Sequence, residues 1–293
     1  MGVVEKKVAL ITGAGRGIGR AHALLMAAEG AAVVVNDLGG TNDGIGEDVA
    51  PAQEVVDEIT AAGGQAVANT DNISTWNGAA KAVAQAIDVF GNLDIVINNA
   101  GILRDGFVAG ISESDWDAVI SVHLKGHVAV LHHAAAYWKQ RSKAGEQVHA
   151  SVINTASASG TFMVNAGQAN YGAAKAGIAA LTLVAGSELE RYGVRVNAIA
   201  PVARTRLTLA TPGMGAIFAA AVPDGEFDAF APENIAPLAV YLASDECRIS
   251  GQVFAVQGGA ISSLVPWRIG ETTESDAPWT ISDIHKRLSA WYE

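Results

Sequence analysis

Tyr171 and Lys175 are the residues of this sequence whose types and spacing could do chemistry. They stand four residues apart in ANYGAAKAGIAALTLVAGSELER (169–191), which predicts a helix with both side chains on one face. A free tyrosine is a poor base at neutral pH, and bringing its pKa down from about 10 requires about 4 kcal/mol. A lysine cation at ~4 Å can supply about that much to a phenolate. The pair therefore predicts a tyrosine acid/base for an alcohol or a carbonyl, with a lysine that lowers its pKa.

The same two residue types can occur at this spacing by chance in an alanine-rich helix, so the elements that must position them decide the interpretation. A glycine-rich loop, TGAGRGIG, follows a short apolar run near the amino end and precedes a helical pattern. Glycines at such a turn let the backbone approach a pyrophosphate, which the N–H groups and dipole of the following helix can bind. The loop therefore predicts a dinucleotide site. Its candidate residues are Gly13, Arg16, Gly17, Ile18 and Gly19.

Asp37 stands at the end of the predicted second strand, where an acid contacts the ribose hydroxyls of the adenosine. A carboxylate there would repel a 2′-phosphate, which favours NAD over NADP. Arg16 has the opposite effect, because a basic side chain in the glycine loop could pair with that phosphate. Asp37 is given more weight, because placing a carboxylate against a phosphate costs more free energy than an exposed arginine gains by pairing with that phosphate. Asp71 and Asn72 follow the predicted third strand and could hydrogen-bond the adenine edge, although solvated loop residues are an equally good interpretation.

Strand and helix patterns alternate along the chain. This alternation predicts an α/β fold, a single Rossmann-like doubly wound parallel sheet of about seven strands with helices on both faces. No linker interrupts it, so we predict one catalytic domain over 1–266 and a carboxyl-terminal extension over 267–293. The strands are expected at 8–11, 31–36, 65–69, 93–98, 151–155, 195–200 and 253–257.

The composition of the chain excludes several classes of function and partner. The chain has 293 residues and a formal net charge of −11, which argues against nucleic acid or an anionic membrane surface as partner. Its single cysteine, Cys247, cannot form an intrachain disulfide, as is typical of a reducing compartment. We find neither a signal peptide nor an apolar stretch long enough to span a bilayer. These features predict a cytoplasmic protein without membrane insertion.

TGAGRGIG, Asp37, NNAG (98–101), the serines at 157–159 and YGAAK, in this order, resemble the short-chain dehydrogenase/reductase family over roughly 6–266. Further runs, such as NNAGILRD and DWDAVISVHLKG, resemble one branch of it. That branch contains the (3R)-hydroxyacyl-CoA dehydrogenase domains of peroxisomal multifunctional enzymes type 2 and their stand-alone bacterial relatives. The resemblance implies a nicotinamide coenzyme and a homodimer or homotetramer. It adds Asn99, Ala100, Gly101, Tyr171, Lys175 and Val202 to the coenzyme-binding residues.

The resemblance also implies catalytic roles. Tyr171 would be the acid/base, and Lys175 would lower its pKa and hold the nicotinamide ribose. Ser157 would hydrogen-bond the substrate oxygen; it lies one residue farther from Tyr171 than is usual in the family, so Ser159 is the alternative. His123 occupies the position of the family's catalytic asparagine and could serve through its main-chain carbonyl, without imidazole chemistry.

Three further features of the sequence need an interpretation. His123 and His127, with His132 or His133, could suggest a metal, but no carboxylate or thiolate stands at metal spacing, so no metal is predicted.

The segment 204–232 is apolar, rich in Gly and Pro and without a clean period. It could be a lid over an acyl or steroid substrate, or a surface covered by another subunit. Ile284, Leu288 and Trp291 predict an apolar stripe on a short helix near the carboxyl end.

Together these features predict an NAD-dependent oxidoreductase that interconverts a (3R)-3-hydroxyacyl-CoA and its 3-oxoacyl-CoA. The reaction type follows from the residues, and the acyl-CoA only from the resemblance. A 17β-type hydroxysteroid dehydrogenase and a 3-oxoacyl thioester reductase are the alternatives within the class. A regulatory protein that binds NAD without chemistry is the alternative outside it, and the intact Tyr171 and Lys175 argue against that alternative.

Overall fold

A computed structural model of the chain describes residues 2–211, 215–223 and 225–291. Its strands are β1 Val8–Thr12, β2 Ala32–Asn36, β3 Gln65–Asn69, β4 Ile95–Asn98, β5 Ala150–Thr155, β6 Val194–Pro201, β7 Val253–Gln257 and β8 Ala260–Leu264. Its α-helices are α1 Gly17–Ala28, α2 Ala50–Ala61, α3 Trp76–Phe90, α4 Glu113–Ile120, α5 Gly126–Lys143, α6 Ala169–Leu189, α7 Arg206–Ala210, α8 Gly215–Phe218, α9 Ala236–Ala243 and α10 Ile281–Ser289.

The strands form one sheet in the order β3-β2-β1-β4-β5-β6-β7-β8, and the first seven are paired in parallel. The predicted doubly wound α/β fold is thus confirmed. The strand count of about seven was one too low, because β8 is an exposed edge strand that follows β7 after only two glycines. A connection this short joins antiparallel strands, and its AISSL sequence has no apolar alternation to reveal it.

Two apolar cores lie on opposite faces of the sheet, as a doubly wound fold requires. One contains buried side chains of α1, α2 and α9, and the other contains those of α3, α5 and the end of α6. The strands between them are buried on both faces and consist largely of Val, Ile and Ala. The order of the sheet reverses between β1 and β4, so their carboxyl ends leave a crevice where such folds bind ligands.

The segment 204–232 contains more regular structure than its sequence pattern predicted. It forms two short helices, α7 and α8, and Arg204 holds the segment together. The Arg204 Nη1 pairs with Asp228 Oδ2 at 2.7 Å and its Nε donates to Phe218 O at 2.5 Å. Helices this short have too few residues to show an apolar period. Residues 212–214 and 224 of this segment lie outside the described part of the chain.

The carboxyl-terminal helix exists but is shorter than predicted. Helix α10 ends at Ser289, so Trp291 lies just beyond it and the apolar stripe comprises Ile284 and Leu288. The compact units of the chain are Met1–Ser263 and Leu264–Glu293. In the described part of the chain, no helix combines the length and apolar character that crossing a bilayer demands.

Candidate active site

A cavity of about 400 Å³ lies over the carboxyl ends of β1 and β4 and contains most of the predicted site residues. Gly19 and Val202 are the predicted residues that do not line it. Gly19 packs beneath the glycine loop, and the Val202 amide donates to Val256 O at 2.9 Å, which commits that amide to the sheet. The predicted residues that line the cavity are Gly13, Arg16, Gly17, Ile18, Asp37, Asp71, Asn72, Asn99, Ala100, Gly101, His123, Ser157, Tyr171 and Lys175.

The glycine loop is shaped so that only glycine fits at its critical positions. A Cβ at Gly13 would lie 2.7 Å from the Ala100 Cα, and one at Gly19 would lie 2.1 Å from the Gly13 carbonyl oxygen. Gly13 and Gly17 also have φ values of 64° and 55°, in the left-handed region that favours glycine. Helix α1 then begins without a side-chain cap or an acidic residue in its first turn, so its N–H groups are free to bind an anion.

The second asparagine of the NNAG run holds this loop against β4. Asn99 Nδ2 donates to the carbonyl oxygens of Thr12 and Gly13 at 3.1 and 3.0 Å, and the backbone amides of Asn99 and Ala100 donate to the Thr12 hydroxyl. Gly101 packs against His123, because a Cβ there would lie 2.4 Å from the imidazole Cε1. The cradle thus fits a dinucleotide, with space for its backbone-bound phosphates at the glycine loop.

Asp37 stands at the adenosine end of the cavity. Its Oδ2 accepts from the Gly15 amide at 2.8 Å and its Oδ1 from the Gly39 amide at 2.7 Å. Each carboxylate oxygen keeps a second lone pair, so the group can still accept from ribose hydroxyls. Asp71 forms an ion pair with Lys81, with 3.8 Å between the Asp71 Oδ1 and the Lys81 Nζ.

Lys175 is almost fully buried beneath the cavity. Its Nζ donates to the Thr155 carbonyl at 2.6 Å and lies 5.5 Å from the centre of the Tyr171 ring. Burial lowers the pKa of Lys175 to about 7. The lysine is therefore only partly protonated at neutral pH, and its stabilisation of a phenolate is smaller than that of a full cation.

The expected lowering of the Tyr171 pKa is wrong for the chain by itself. Burial raises the pKa of Tyr171 and the Asp105 carboxylate raises it further, while a hydrogen bond with the Ser157 side chain lowers it. Low-dielectric surroundings disfavour the phenolate, and the sequence could not show how deeply the ring is buried.

Ser157, not Ser159, faces the reacting groups. Ser157 lines the cavity and its side chain lowers the pKa of Tyr171, whereas Ser159 is buried and donates its amide to the Ser157 Oγ at 3.2 Å. The extra residue between Ser157 and Tyr171 is accommodated in a turn, in which the amides of residues 161–163 donate to the Ala158 carbonyl.

His123 lies in a π-helical turn, Ser121–Lys125, and contacts Tyr171 edge-on at 5.1 Å between ring centres. Its Nε2 hydrogen-bonds the backbone of Ile102, 2.8 Å from the carbonyl oxygen. Burial, with a smaller effect of Lys175, lowers the pKa of His123 to about 3, so the ring is neutral. The imidazole therefore supports Tyr171 and Gly101 rather than presenting a proton to substrate. No group of three or more metal-ligating side chains occurs within residues 2–211, 215–223 and 225–291.

Asn170 is a site residue that the sequence analysis missed. It is fully buried; its Nδ2 donates to Arg104 O at 2.8 Å, and its Oδ1 accepts from the Tyr171 amide at 2.8 Å. Gln168 adds a bond to Asp105 Oδ2 at 3.0 Å. These bonds fix the first turn of the catalytic helix α6 to the segment after NNAG. No sequence signal identifies an asparagine in this role, because Arg104, the partner to which it ties the helix, lies 66 residues away in the chain.

The crevice, glycine cradle and Ser-Tyr-Lys group define an oxidoreductase that uses a nicotinamide dinucleotide. The family profile described as short chain dehydrogenase matches residues 7–210, and the chain belongs to this family. A solved short chain dehydrogenase from Mycobacterium avium is 50% identical and superposes with a TM-score of 0.87, covering 99% of this chain and 95% of that one.

Two curated relatives have more specific names. The hydroxyacyl-CoA dehydrogenase ChsB1 of Mycobacterium tuberculosis is 44% identical over 98% of this chain and 88% of its own length. The peroxisomal multifunctional enzyme type 2 of Mus musculus is 42% identical over 89% of this chain but only 33% of its own length. The resemblance stated from the motifs is thus confirmed at the level of the family and its hydroxyacyl-CoA dehydrogenase members.

Proposed function

We propose that this chain is an NAD-dependent dehydrogenase that interconverts (3R)-3-hydroxyacyl-CoA and 3-oxoacyl-CoA. The observation that carries the proposal is the Ser157–Tyr171–Lys175 group in a dinucleotide cavity, in a chain similar to a hydroxyacyl-CoA dehydrogenase over nearly its full length. The apolar side chains Leu209 and Ile217 of the segment 204–232 are about half-exposed, and they support an acyl substrate because they could cover its chain.

In this reaction the residues bind the substrate oxygen and move one proton. Ser157 donates a hydrogen bond to the C3 oxygen, and Tyr171 takes the hydroxyl proton on oxidation and returns it on reduction. Lys175, whose Nζ donates to the Thr155 carbonyl, would hold the coenzyme ribose. A bound nicotinamide would accept the hydride from C3, and its positive charge would favour the phenolate that burial disfavours.

The substrate proposal is tested by initial rates with a (3R)-3-hydroxyacyl-CoA, its (3S) enantiomer and a 17β-hydroxysteroid, each with NAD. We expect kcat/KM for the (3R) thioester to exceed both others by on the order of 100-fold, a difference of about 3 kcal/mol in transition-state binding. Preferential turnover of the steroid would replace the proposal with a hydroxysteroid dehydrogenase.

The coenzyme proposal depends on Asp37, whose carboxylate would repel a 2′-phosphate. We expect NAD to be preferred over NADP, and Asp37→Ala to relax that preference. The measurement is kcat/KM for both coenzymes in both proteins, with Asp57→Ala as a control on an exposed helical acid. Equal values for the two coenzymes in the wild-type protein would refute the NAD preference.

A further inference from the structure

Asp105 is an acidic residue held beside the first turn of the catalytic helix α6. The segment after NNAG is attached to that turn at two points. A parallel β-bridge joins Gly106 to Gln168, and Asn170 Nδ2 donates to Arg104 O at 2.8 Å. Asp105 lies between the two attachments, so its position relative to α6 is fixed.

The side chain of Gln168 orients the Asp105 carboxylate. Its Nε2 donates to Asp105 Oδ2 at 3.0 Å, and its Oε1 accepts from Asn165 Nδ2 at 3.3 Å. Gln168 is buried, and its amide is engaged at both ends. The carboxylate is therefore anchored three residues before Tyr171 in the chain.

The charge of Asp105 is not balanced by a cation. No lysine, arginine or histidine in the part of the chain that the structure describes forms an ion pair with it. The adjacent Arg104 pairs with Asp115 instead, at 3.4 Å between Nη1 and Oδ1. Partial burial raises the pKa of Asp105, and the hydrogen bond from Gln168 lowers it. A neutral amide is thus the group that the protein places against this carboxylate.

The field of Asp105 reaches the atoms that would hold substrate. The carboxylate raises the pKa of Tyr171, which lines the cavity together with Ser157. In a 3-hydroxy acid, C1 is two carbon–carbon bonds from C3, so a C1 carboxylate would lie close to the groups that bind the C3 oxygen. Like charges repel strongly in such partly buried surroundings, whereas a thioester carbonyl at C1 carries no charge.

The other titratable groups packed against Tyr171 do not cancel this charge. Burial lowers the pKa of His123 to about 3, so its ring is neutral. Burial also lowers the pKa of Lys175 to about 7, so the lysine carries only part of a positive charge at neutral pH. Its Nζ already donates to Thr155 O at 2.6 Å.

We infer that Asp105 is a specificity-determining residue that repels a free C1 carboxylate and so restricts the site to 3-hydroxyacyl groups that are neutral at C1, such as thioesters. The inference rests on the proposed function, since it concerns the acyl substrate of that reaction. It explains by charge, rather than by contacts with CoA, why a thioester would be used in preference to the free acid.

The test compares (3R)-3-hydroxybutyrate, an anion at pH 7, with its neutral N-acetylcysteamine thioester, each with NAD. We expect Asp105→Asn to raise kcat/KM for the acid about tenfold relative to the thioester, equivalent to about 1.4 kcal/mol. Asparagine suits the test because its Oδ1 can still accept from Gln168. The ratio is the decisive quantity, because a change in Tyr171 itself affects both substrates alike.

Two further variants isolate the charge. Asp105→Glu keeps the carboxylate and should keep the wild-type ratio. Asp88→Asn, on an exposed acid of α3 outside the cavity, is the matched control and should also keep it. An unchanged ratio in Asp105→Asn, or an equal change in Asp105→Glu, would overturn the inference.

The pH–rate profile with the neutral thioester gives a second readout. Asp105→Asn should move the limb assigned to Tyr171 to lower pH, because it removes a charge that raises the pKa of Tyr171. Asp105→Glu should leave the limb near its wild-type position. An unmoved limb in Asp105→Asn would show that the carboxylate does not act on the reacting atoms, and would overturn the inference.

The small probes separate this inference from the proposed function. Turnover of the (3R)-hydroxyacyl-CoA with no effect of Asp105→Asn on the ratio would overturn the inference and leave the proposed function standing. Rejection of the CoA thioester, with the ratio still dependent on Asp105, would contradict the proposed function and support the charge selection.

Discussion

Tyr171 lies between groups that raise its pKa and groups that can lower it. Burial and Asp105 act in the first direction, and the Ser157 hydrogen bond acts in the second. A buried tyrosine with a raised pKa stays protonated at neutral pH, and it needs added positive charge to become a base. The protein by itself therefore holds Tyr171 as the neutral phenol, and its use as a base in oxidation depends on what binds beside it.

The first prediction concerns the Tyr171 hydroxyl. Tyr171→Phe should lower kcat by roughly 10²–10⁴-fold, because it removes the transferable proton. The Kd for NAD should stay unchanged, since the ring packing is preserved. The control is Tyr241→Phe, which alters an exposed tyrosine away from the cavity and should keep full activity. A Tyr171→Phe protein with activity within tenfold of wild type would exclude the acid/base role.

The second prediction concerns Asn170, which positions Tyr171 without facing the substrate. Asn170→Ala leaves the Tyr171 amide and the Arg104 carbonyl without their buried partner, which costs about 1–3 kcal/mol in the free energy of unfolding. We expect kcat to fall and KM for coenzyme to stay constant.

The pH–rate profile distinguishes positioning from a loss of stability alone. In Asn170→Ala the limb assigned to Tyr171 should move, because the hydroxyl no longer lies at a fixed distance from Ser157 and Asp105. An unmoved profile at constant kcat, with only a lower melting temperature, would show that Asn170 is purely structural.

Helix α1 contributes its N-terminus to the coenzyme cradle, and it also contains a buried histidine that reduces stability at acidic pH. His22 is fully buried on this helix, and neither ring nitrogen has a hydrogen-bond partner among the described residues. Burial lowers the pKa of His22 to about 4, against an ordinary value of 6.5. The folded state therefore binds fewer protons than the unfolded state between these two pH values.

The third prediction follows from this difference. Stability linked to His22 is fully present above pH 6.5 and is lost as the pH falls to about 4, an effect of about 3 kcal/mol. His22→Met, which keeps a similar volume, should reduce the acid-induced loss of unfolding free energy by about that amount. Urea titrations at several pH values measure it. His132→Met, on an exposed histidine, is the control; an identical pH dependence in His22→Met and wild type would contradict the assignment.

At the scale of the whole molecule, the carboxyl-terminal unit exposes more apolar surface than a soluble single chain usually leaves uncovered. Trp267, Ile269 and Ile281 are 70%, 91% and 88% exposed, and Ile284 and Leu288 of α10 are about half-exposed. Exposed large apolar side chains concentrated in one short unit point to an interaction site. We propose that the extension packs against another copy in a homodimer or homotetramer.

The fourth prediction tests this extension. Deleting 267–293 should raise KM for a bulky acyl-CoA, reduce the oligomeric mass and leave NAD affinity unchanged. Mass photometry and initial rates measure these effects. A milder variant, Ile284→Ser with Leu288→Ser, should act in the same direction, whereas Lys286→Ser on the same helix should not. Unchanged mass and unchanged kinetics in the truncated protein would show that the extension has neither role.

The sequence alone was sufficient to predict the architecture, which the structure confirms, and it also predicts the central chemistry. Alternating strand and helix patterns predicted the doubly wound sheet, and the glycine loop and the Tyr171–Lys175 spacing predicted the crevice and its acid/base. These features are readable because the physics behind them is local: side-chain periodicity, glycine backbone freedom and one helical turn all act over a few neighbouring residues.

Only the tertiary structure decided the remaining features, because they depend on residues far apart in the chain and on burial. It selected Ser157 over Ser159 and brought Asn170 to Arg104. It also reversed the expected direction of the Tyr171 pKa shift, since desolvation depends on the surrounding packing and not on the four-residue spacing to the lysine. Edge strand β8 escaped prediction for a related reason, because an exposed strand with no buried face has no apolar alternation.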